Sequence, residues 1–378
     1  EISACLVGSE MCIRDRVPAG VWESAPAYAW RGVMLDVARH FRPVEDLERL
    51  VDLMADHHLT HLHLHLTDDQ GWRFEVPGFP RLTEVGGRRE ETQRGHGPHA
   101  TVEAGVHEGH YTDAELRRLV AYAAQRFVTV VPEVELPGHI QAGLAAYPEL
   151  GNIDVGEPVV APWSRFGVNP RTLAPTDEAL AFGRAAIDAL CDLFDSPWIG
   201  IGGDEVPVTE WAQSAAARER MRELGLATPH DVQPWFTDQF VAHVRSRGRT
   251  ALAWDEVLEG DVPEGVQVLA WRGPVAMREA LRRGIPVIAC PDLEAYLDYP
   301  QSESGEEPIR VGPPLPIERA YALRVEDGAS GGQANVWTEH LPTTDRVDCA
   351  MFPRLAAIAE RLWDGGEPPP YEAVSYTH

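Results

Sequence analysis

Eight short apolar runs, rich in β-branched residues, recur along the 378-residue chain, and helical patterns or long loops separate them. That alternation constrains the fold more than any other feature. A strand buried on both faces needs a covering helix after each pass, and eight such units suggest a (β/α)8 TIM barrel. An open, doubly wound α/β sheet is the alternative. The expected strands are Gly32–Val37, Thr60–Leu66, Val128–Glu135, Trp198–Gly202, Thr250–Trp254, Val266–Trp271, Pro286–Ala289 and Gln333–Trp337. Pro43 is expected in the first turn of a helix through His57. Thr112 and Glu115 predict a capping box ahead of an apolar 3.6-residue pattern through Phe127. Asp177–Phe194 is amphipathic. Thr228-Pro229 opens another helix to about Arg247, and Gly273–Arg283 and Cys349–Leu362 follow. Gly86–Gly109 and Tyr299–Pro316 read as loops by composition. Both follow strand tips, where loops wall sites.

Composition narrows the function. The net charge of −26 argues against nucleic acid and anionic membrane surfaces as partners, since both select clustered cations. All 33 basic residues are arginine, so Schiff-base lysine chemistry and a P-loop are excluded. No apolar run is long enough to span a bilayer. The 11 tryptophans outnumber the tyrosines, a usage suited to a carbohydrate site as well as to a large core.

The ends look foreign. Glu10–Arg16 resembles the translation of a transposase adaptor from sequencing libraries, and Val374–His378 resembles the same adaptor on the opposite strand. The expectation is a native stretch from about Val17 to Ala373, with residues 1–16 and 374–378 excluded from fold reasoning. The compartment is then open, because a leader could have been lost. Cys5 and Cys12 fall in the suspect segment. Cys191, Cys290 and Cys349 have no disulfide or zinc-site spacing.

Chemistry concentrates where the strands end. Trp198–Gly203 runs into the adjacent carboxylates Asp204 and Glu205, whose repulsion should push their pKa values apart. The other tips carry Asp36 and Arg39-His40; His63, His65 and Asp68-Asp69; Glu133, Glu135 and His139; Trp254-Asp255-Glu256; Trp271; Tyr296-Leu297-Asp298; and Trp337-Thr338-Glu339. Each alone has a structural explanation: the tryptophans as core, Arg39 as an ion-paired surface residue, His139 as a turn residue, Asp204-Glu205 as a helix start. Their joint convergence on one end of the sheet is what points to a site.

These segments resemble the family 20 glycoside hydrolases, the β-N-acetylhexosaminidases. The matching motifs begin at Arg31, His61, Val131, Ile201, Tyr296 and Val336, in the family's order, and cover nearly all of Val17–Asp364. The resemblance implies a barrel usually preceded by a small α/β domain, which a truncated chain would lack. It also implies exo cleavage of terminal β-linked N-acetylhexosamine by substrate assistance, outside the two-carboxylate pattern, with no cofactor and no metal. The partner implied is an N-acetylhexosamine-containing oligosaccharide or glycoconjugate. Glu205 would be the general acid/base, with its pKa raised by Asp204. Asp204 would hold the acetamido N–H, Tyr296 the acetamido oxygen, and Trp254, Trp271 and Trp337 the methyl. Arg39, Asp298 and Glu339 would bind hydroxyls, and Asp68 and His139 would form a relay behind Glu205. Three rivals stand beside this reading. A metal-dependent barrel hydrolase could use His61, His63 and His65, which share a strand face. The others are a non-catalytic sugar-binding module and an inert fragment.

Overall fold

The computed structural model describes residues 2–4, 13–15, 24–304, 307–308 and 310–367. Cys5, Cys12, most of the adaptor-like Glu10–Arg16 and all of Val374–His378 lie outside them. Ile2–Ala4 and Ile13–Asp15 form a two-stranded antiparallel sheet separate from the barrel.

Eight parallel strands close on one another: β1 (Trp30–Asp36), β2 (His61–His65), β3 (Thr129–Glu133), β4 (Trp198–Gly200), β5 (Thr250–Trp254), β6 (Val266–Ala270), β7 (Val287–Ala289) and β8 (Gly331–Val336). β8 pairs with β1 over six positions and completes the ring. The doubly wound alternative is therefore excluded. Helices α1 (Val44–Asp56), α2 (Asp113–Ala124), α3 (Asp177–Leu193), α4 (Val232–Ser246), α5 (Pro274–Arg282) and α6 (Arg354–Asp364) follow strands one, two, three, four, six and eight.

The period of two divides each strand between two cores. Val33 and Leu35 of β1 and Leu62 and Leu64 of β2 face the helices. Trp30, Val131, Leu252, Trp254, Leu269 and Ile288 pack together in a separate inner cluster. At one end of that interior, His61 stacks on Trp30 at 4.0 Å and Trp198 meets both edge-on. The rest of the interior is polar: His63, His65, Glu133, Gln333 and Asn335 are all buried.

Local expectations hold with three differences. The capping box of Thr112 and Glu115 forms. Pro43 sits one position earlier than expected, at the N-cap of α1, where its extended ψ starts the turn. Gly86–Gly109 is a β-hairpin of Arg88–Arg94 and Thr101–Glu108. Its strands are largely polar and exposed, so no apolar alternation announces them. The helix expected over Cys349–Leu362 is broken into Thr344–Met351 and α6, because Pro353 lacks the N–H to continue it.

Candidate active site

The tip of β4 is built by glycine. Gly202 and Gly203 have φ of 64° and 92°, and a Cβ on Gly202 would stand 1.9 Å from Glu135 Oε2. Only glycine fits that turn. The bend delivers Asp204 into the barrel mouth and leaves Glu205 at its rim, with side chains 14% and 43% exposed. Glu205 and His139 both hold positive φ, 48° and 47°, without being glycine. Such conformations cost about 1–3 kcal/mol each and gather at working sites. Gln233 of α4 donates to the Gly203 carbonyl at 2.6 Å and Trp254 N–H to the Gly202 carbonyl at 3.2 Å, holding the turn from both sides.

His139 links the acids. Its Nε2 lies 3.6 Å from Glu205 and 3.8 Å from Asp204, while Nδ1 faces Asp69 at 3.3 Å and Asp68 at 3.5 Å. Asp69, which the sequence placed at this strand tip without a role, is thus the nearer carboxylate. Burial alone would lower the proton affinity of His139, but Asp68 and Asp69 outweigh it and raise its pKa well above the usual value. Burial likewise opposes charge on Asp68, yet Arg39, at 2.8 Å, and His139 hold it far below the carboxylate range.

The expected order of the two adjacent acids is reversed. The His139 imidazole, 3.6 Å away, holds Glu205 below its ordinary value, against a smaller desolvation effect. Asp204 is the one raised, first by burial and then by Glu133 and Glu205. Neighbouring charge does split the pair, but exposure and the imidazolium decide which member goes up.

The other predicted residues converge on one cavity of about 190 Å³ at the C-terminal end of the barrel. Trp254, Trp271, Tyr296 and Trp337 wall it, with Tyr296 lying 6.3 Å from each of Trp271 and Trp337 by ring centroid. Burial keeps the Tyr296 phenol protonated, well above its ordinary pKa. Arg39, Asp298 and Glu339 form the polar rim. Arg39 lies 3.8 Å from Glu339 and 5.1 Å over the Trp337 ring, and Gln70 Oε1 accepts from its Nε at 2.9 Å. Oδ1 of Asp204 and Oδ1 of Asp298 are buried with no partner among the described residues. Of the predicted residues only Asp68 stands behind the cavity, beneath Arg39 and His139. Tyr299 and Val311 also line it. They belong to the Tyr299–Pro316 loop, whose composition marked a wall but not which side chains turn inward.

The histidines of the metal alternative share an inward face but not a site. His61 stacks on Trp30, whereas His65 Nδ1 hydrogen-bonds Glu133 Oε1 at 2.6 Å and His63 Nε2 lies 3.2 Å from the other oxygen of Glu133. Among the described residues, the groups close enough to share an ion are His65 with Glu133 and Glu135, Asp68 with Asp69 and His139, and His139 with Asp204 and Glu205.

A parallel barrel with an aromatic-walled pocket and paired carboxylates at its strand tips defines the class, a barrel glycoside hydrolase. The chain belongs to glycosyl hydrolase family 20, matching the catalytic domain over residues 28–366. It is 37% identical over 366 residues to a β-hexosaminidase of Porphyromonas gingivalis, covering 94% of this chain and 45% of that protein. It is 34% identical to a β-hexosaminidase of Akkermansia muciniphila, covering 92% and 71%. Its structure is similar to an exo β-N-acetylglucosaminidase of Vibrio harveyi in complex with N-acetylglucosamine, with a TM-score of 0.77 and 33% identity over 90% of this chain and 55% of that one. The chain thus spans about half the length of some of the relatives it matches.

Proposed function

We propose that this chain is an exo-acting, retaining β-N-acetylhexosaminidase that uses the substrate's own acetamido group as nucleophile. The observation that carries the reading is Asp204: a carboxylate with one buried, unpartnered oxygen, in a cavity walled by indole and phenol rings. That is an acceptor awaiting an N–H beside an apolar slot for a methyl. The acetamido oxygen, steered by Tyr296 O–H, attacks the anomeric carbon. The glycosidic oxygen leaves with the proton of Glu205. Positive charge spreads over the resulting oxazolinium ring, and Asp204 stabilises it more than the ground state. Water then attacks the anomeric carbon and displaces the acetamido oxygen, which regenerates the N-acetyl group; the water's proton goes to Glu205, and the β configuration is restored. Arg39, Asp298 and Glu339 grip the terminal sugar's hydroxyls.

The low proton affinity of Glu205 belongs to the open site. A bound sugar removes water from the rim, and desolvation favours the neutral acid that the first step needs. His139, backed by Asp68 and Asp69, orients the carboxyl and carries the balancing charge. The native boundaries near Val17 and Ala373 are part of the proposal, and sequencing across the parent locus tests them.

The decisive comparison is nitrophenyl β-GlcNAc against nitrophenyl β-glucoside, with a stable thiazoline mimic of the cyclised intermediate as inhibitor. Losing one methyl-sized contact is worth about 0.8 kcal/mol, a few-fold in binding. Loss of the nucleophile should lower turnover far more. Comparable rates on the two glycosides, or indifference to the thiazoline, would exclude substrate assistance.

A further inference from the structure

One carboxyl at the barrel mouth has no part in this scheme. Glu256 follows Trp254 and Asp255 at the end of β5, and both of its oxygens lie within hydrogen-bond reach of Trp271 Nε1, at 3.2 and 3.3 Å. Trp271 directly follows the neighbouring β6, and its indole lies nearly parallel to Tyr296, at 22°. The wall is therefore held on one side by a carboxyl and on the other by the phenol ring. Next to this contact, Asp255 accepts from the Arg272 backbone N–H at 2.9 Å and from its guanidinium. Two adjacent residues of one strand end thus grip two adjacent residues of the next. Asp255 fixes the backbone, and Glu256 fixes the side chain that meets the substrate.

We propose that Glu256 is a positioning residue that sets the place of the Trp271 wall, and with it which N-acyl group the pocket accepts. The inference rests on the reading of the cavity given above. A tryptophan wall has two soft torsions, and ring contact alone lets it slide. A bond at Nε1 removes that freedom at the indole edge. The surroundings keep this carboxyl neutral: burial first, then the carboxylates of Asp204 and Asp255, raise its pKa to about 8, with Arg272 opposing them. His230, Asp231, Glu259 and Asp261 line a second cavity behind it. A neutral acid accepts the indole N–H without setting a second negative charge beside Asp204. Once ionised, it would repel Asp204 from beneath the acetamido group.

The test uses the full chain with nitrophenyl glycosides of N-acetyl-, N-propionyl- and N-butyryl-β-glucosamine. In Glu256→Ala the preference for N-acetyl over the longer acyl groups, as kcat/KM, should fall at least several-fold. Glu256→Gln keeps an acceptor and should restore the preference. It removes the ionisation, so the alkaline fall of kcat should move to higher pH. As a readout independent of turnover, the indole N–H resonance of Trp271, assigned through Trp271→Phe, should titrate near pH 8 in the parent protein and not in Glu256→Gln. Unchanged acyl preference in Glu256→Ala, or the same indole titration in Glu256→Gln, would overturn the proposal. If Glu256→Ala does not fold, the indole titration and pH profile of Glu256→Gln decide the matter. A parent protein that cleaves none of the three glycosides would overturn the functional reading itself, and this inference with it.

Discussion

His139 is the residue on which the two acids turn. Its imidazolium is made by Asp68 and Asp69 and spent on Glu205. Replacing it with asparagine removes the cation that holds Glu205 low, so the Glu205 pKa in the free protein should rise toward the ordinary carboxylate range. Glu205 works as an acid in its protonated form. The fall of kcat/KM that accompanies its deprotonation should therefore move to higher pH. Glu205→Gln identifies that limb by abolishing it, and should lower turnover of poor leaving groups by about 10²–10⁴-fold. A His139→Asn profile that superimposes on the parent's would sever the link between them.

At the scale of the element, the β4 turn is the part with least tolerance. Gly202→Ala meets two penalties at once, a left-handed φ and the carboxylate of Glu135 at 1.9 Å. The conformational part alone costs about 1–2 kcal/mol. Glu135 cannot retreat, because it is buried beside His65 at 3.7 Å. The turn should shift, carrying Asp204 and Glu205 with it. Urea unfolding should show lowered stability, and kcat should fall more than KM rises. Gly203→Ala is the control: its φ of 92° carries a penalty, but nothing lies within 4 Å of an added Cβ. Its stability loss should be the smaller of the two.

For the whole molecule, the buried titratable groups predict an uneven pH dependence. Burial raises the carboxyls of Asp204, Glu256, Asp298 and Glu339 in the folded state. Such groups bind protons more tightly when folded, so stability falls as pH rises from about 4 through their folded values. Carboxylate neighbours raise His65 and His139 despite burial, and their contribution is present below pH ~6.5 and lost above it. On the acid side the sign reverses. Burial and nearby arginines lower His40 to about 3 and His107 to about 2, so unfolding takes up protons below pH ~6.5 and is favoured there. Thermal unfolding from pH 4 to 9 should therefore give the highest Tm on the mildly acidic side of neutrality, with a decline toward alkaline pH. A Tm that rises steadily to pH 9 would contradict the charge assignments of the barrel interior.

The sequence by itself determined the barrel and most of its site. Strand and helix periods are local, so each β-α unit is legible from its own residues, and strand tips must share one end once the sheet is parallel. The adjacent pair at Asp204, the indoles and the rim charges were legible for that reason. Only the tertiary structure decided what depends on distance between strands. It made Asp69 rather than Asp68 the nearer carboxylate to His139, and divided His61, His63 and His65 between stacking and Glu133. It turned Tyr299 and Val311 into the pocket and joined Glu256 to Trp271. It also reversed the expected proton affinities of Asp204 and Glu205. Two neighbours in sequence repel equally, and nothing in their order says which one the fold will bury and which it will leave beside an imidazolium.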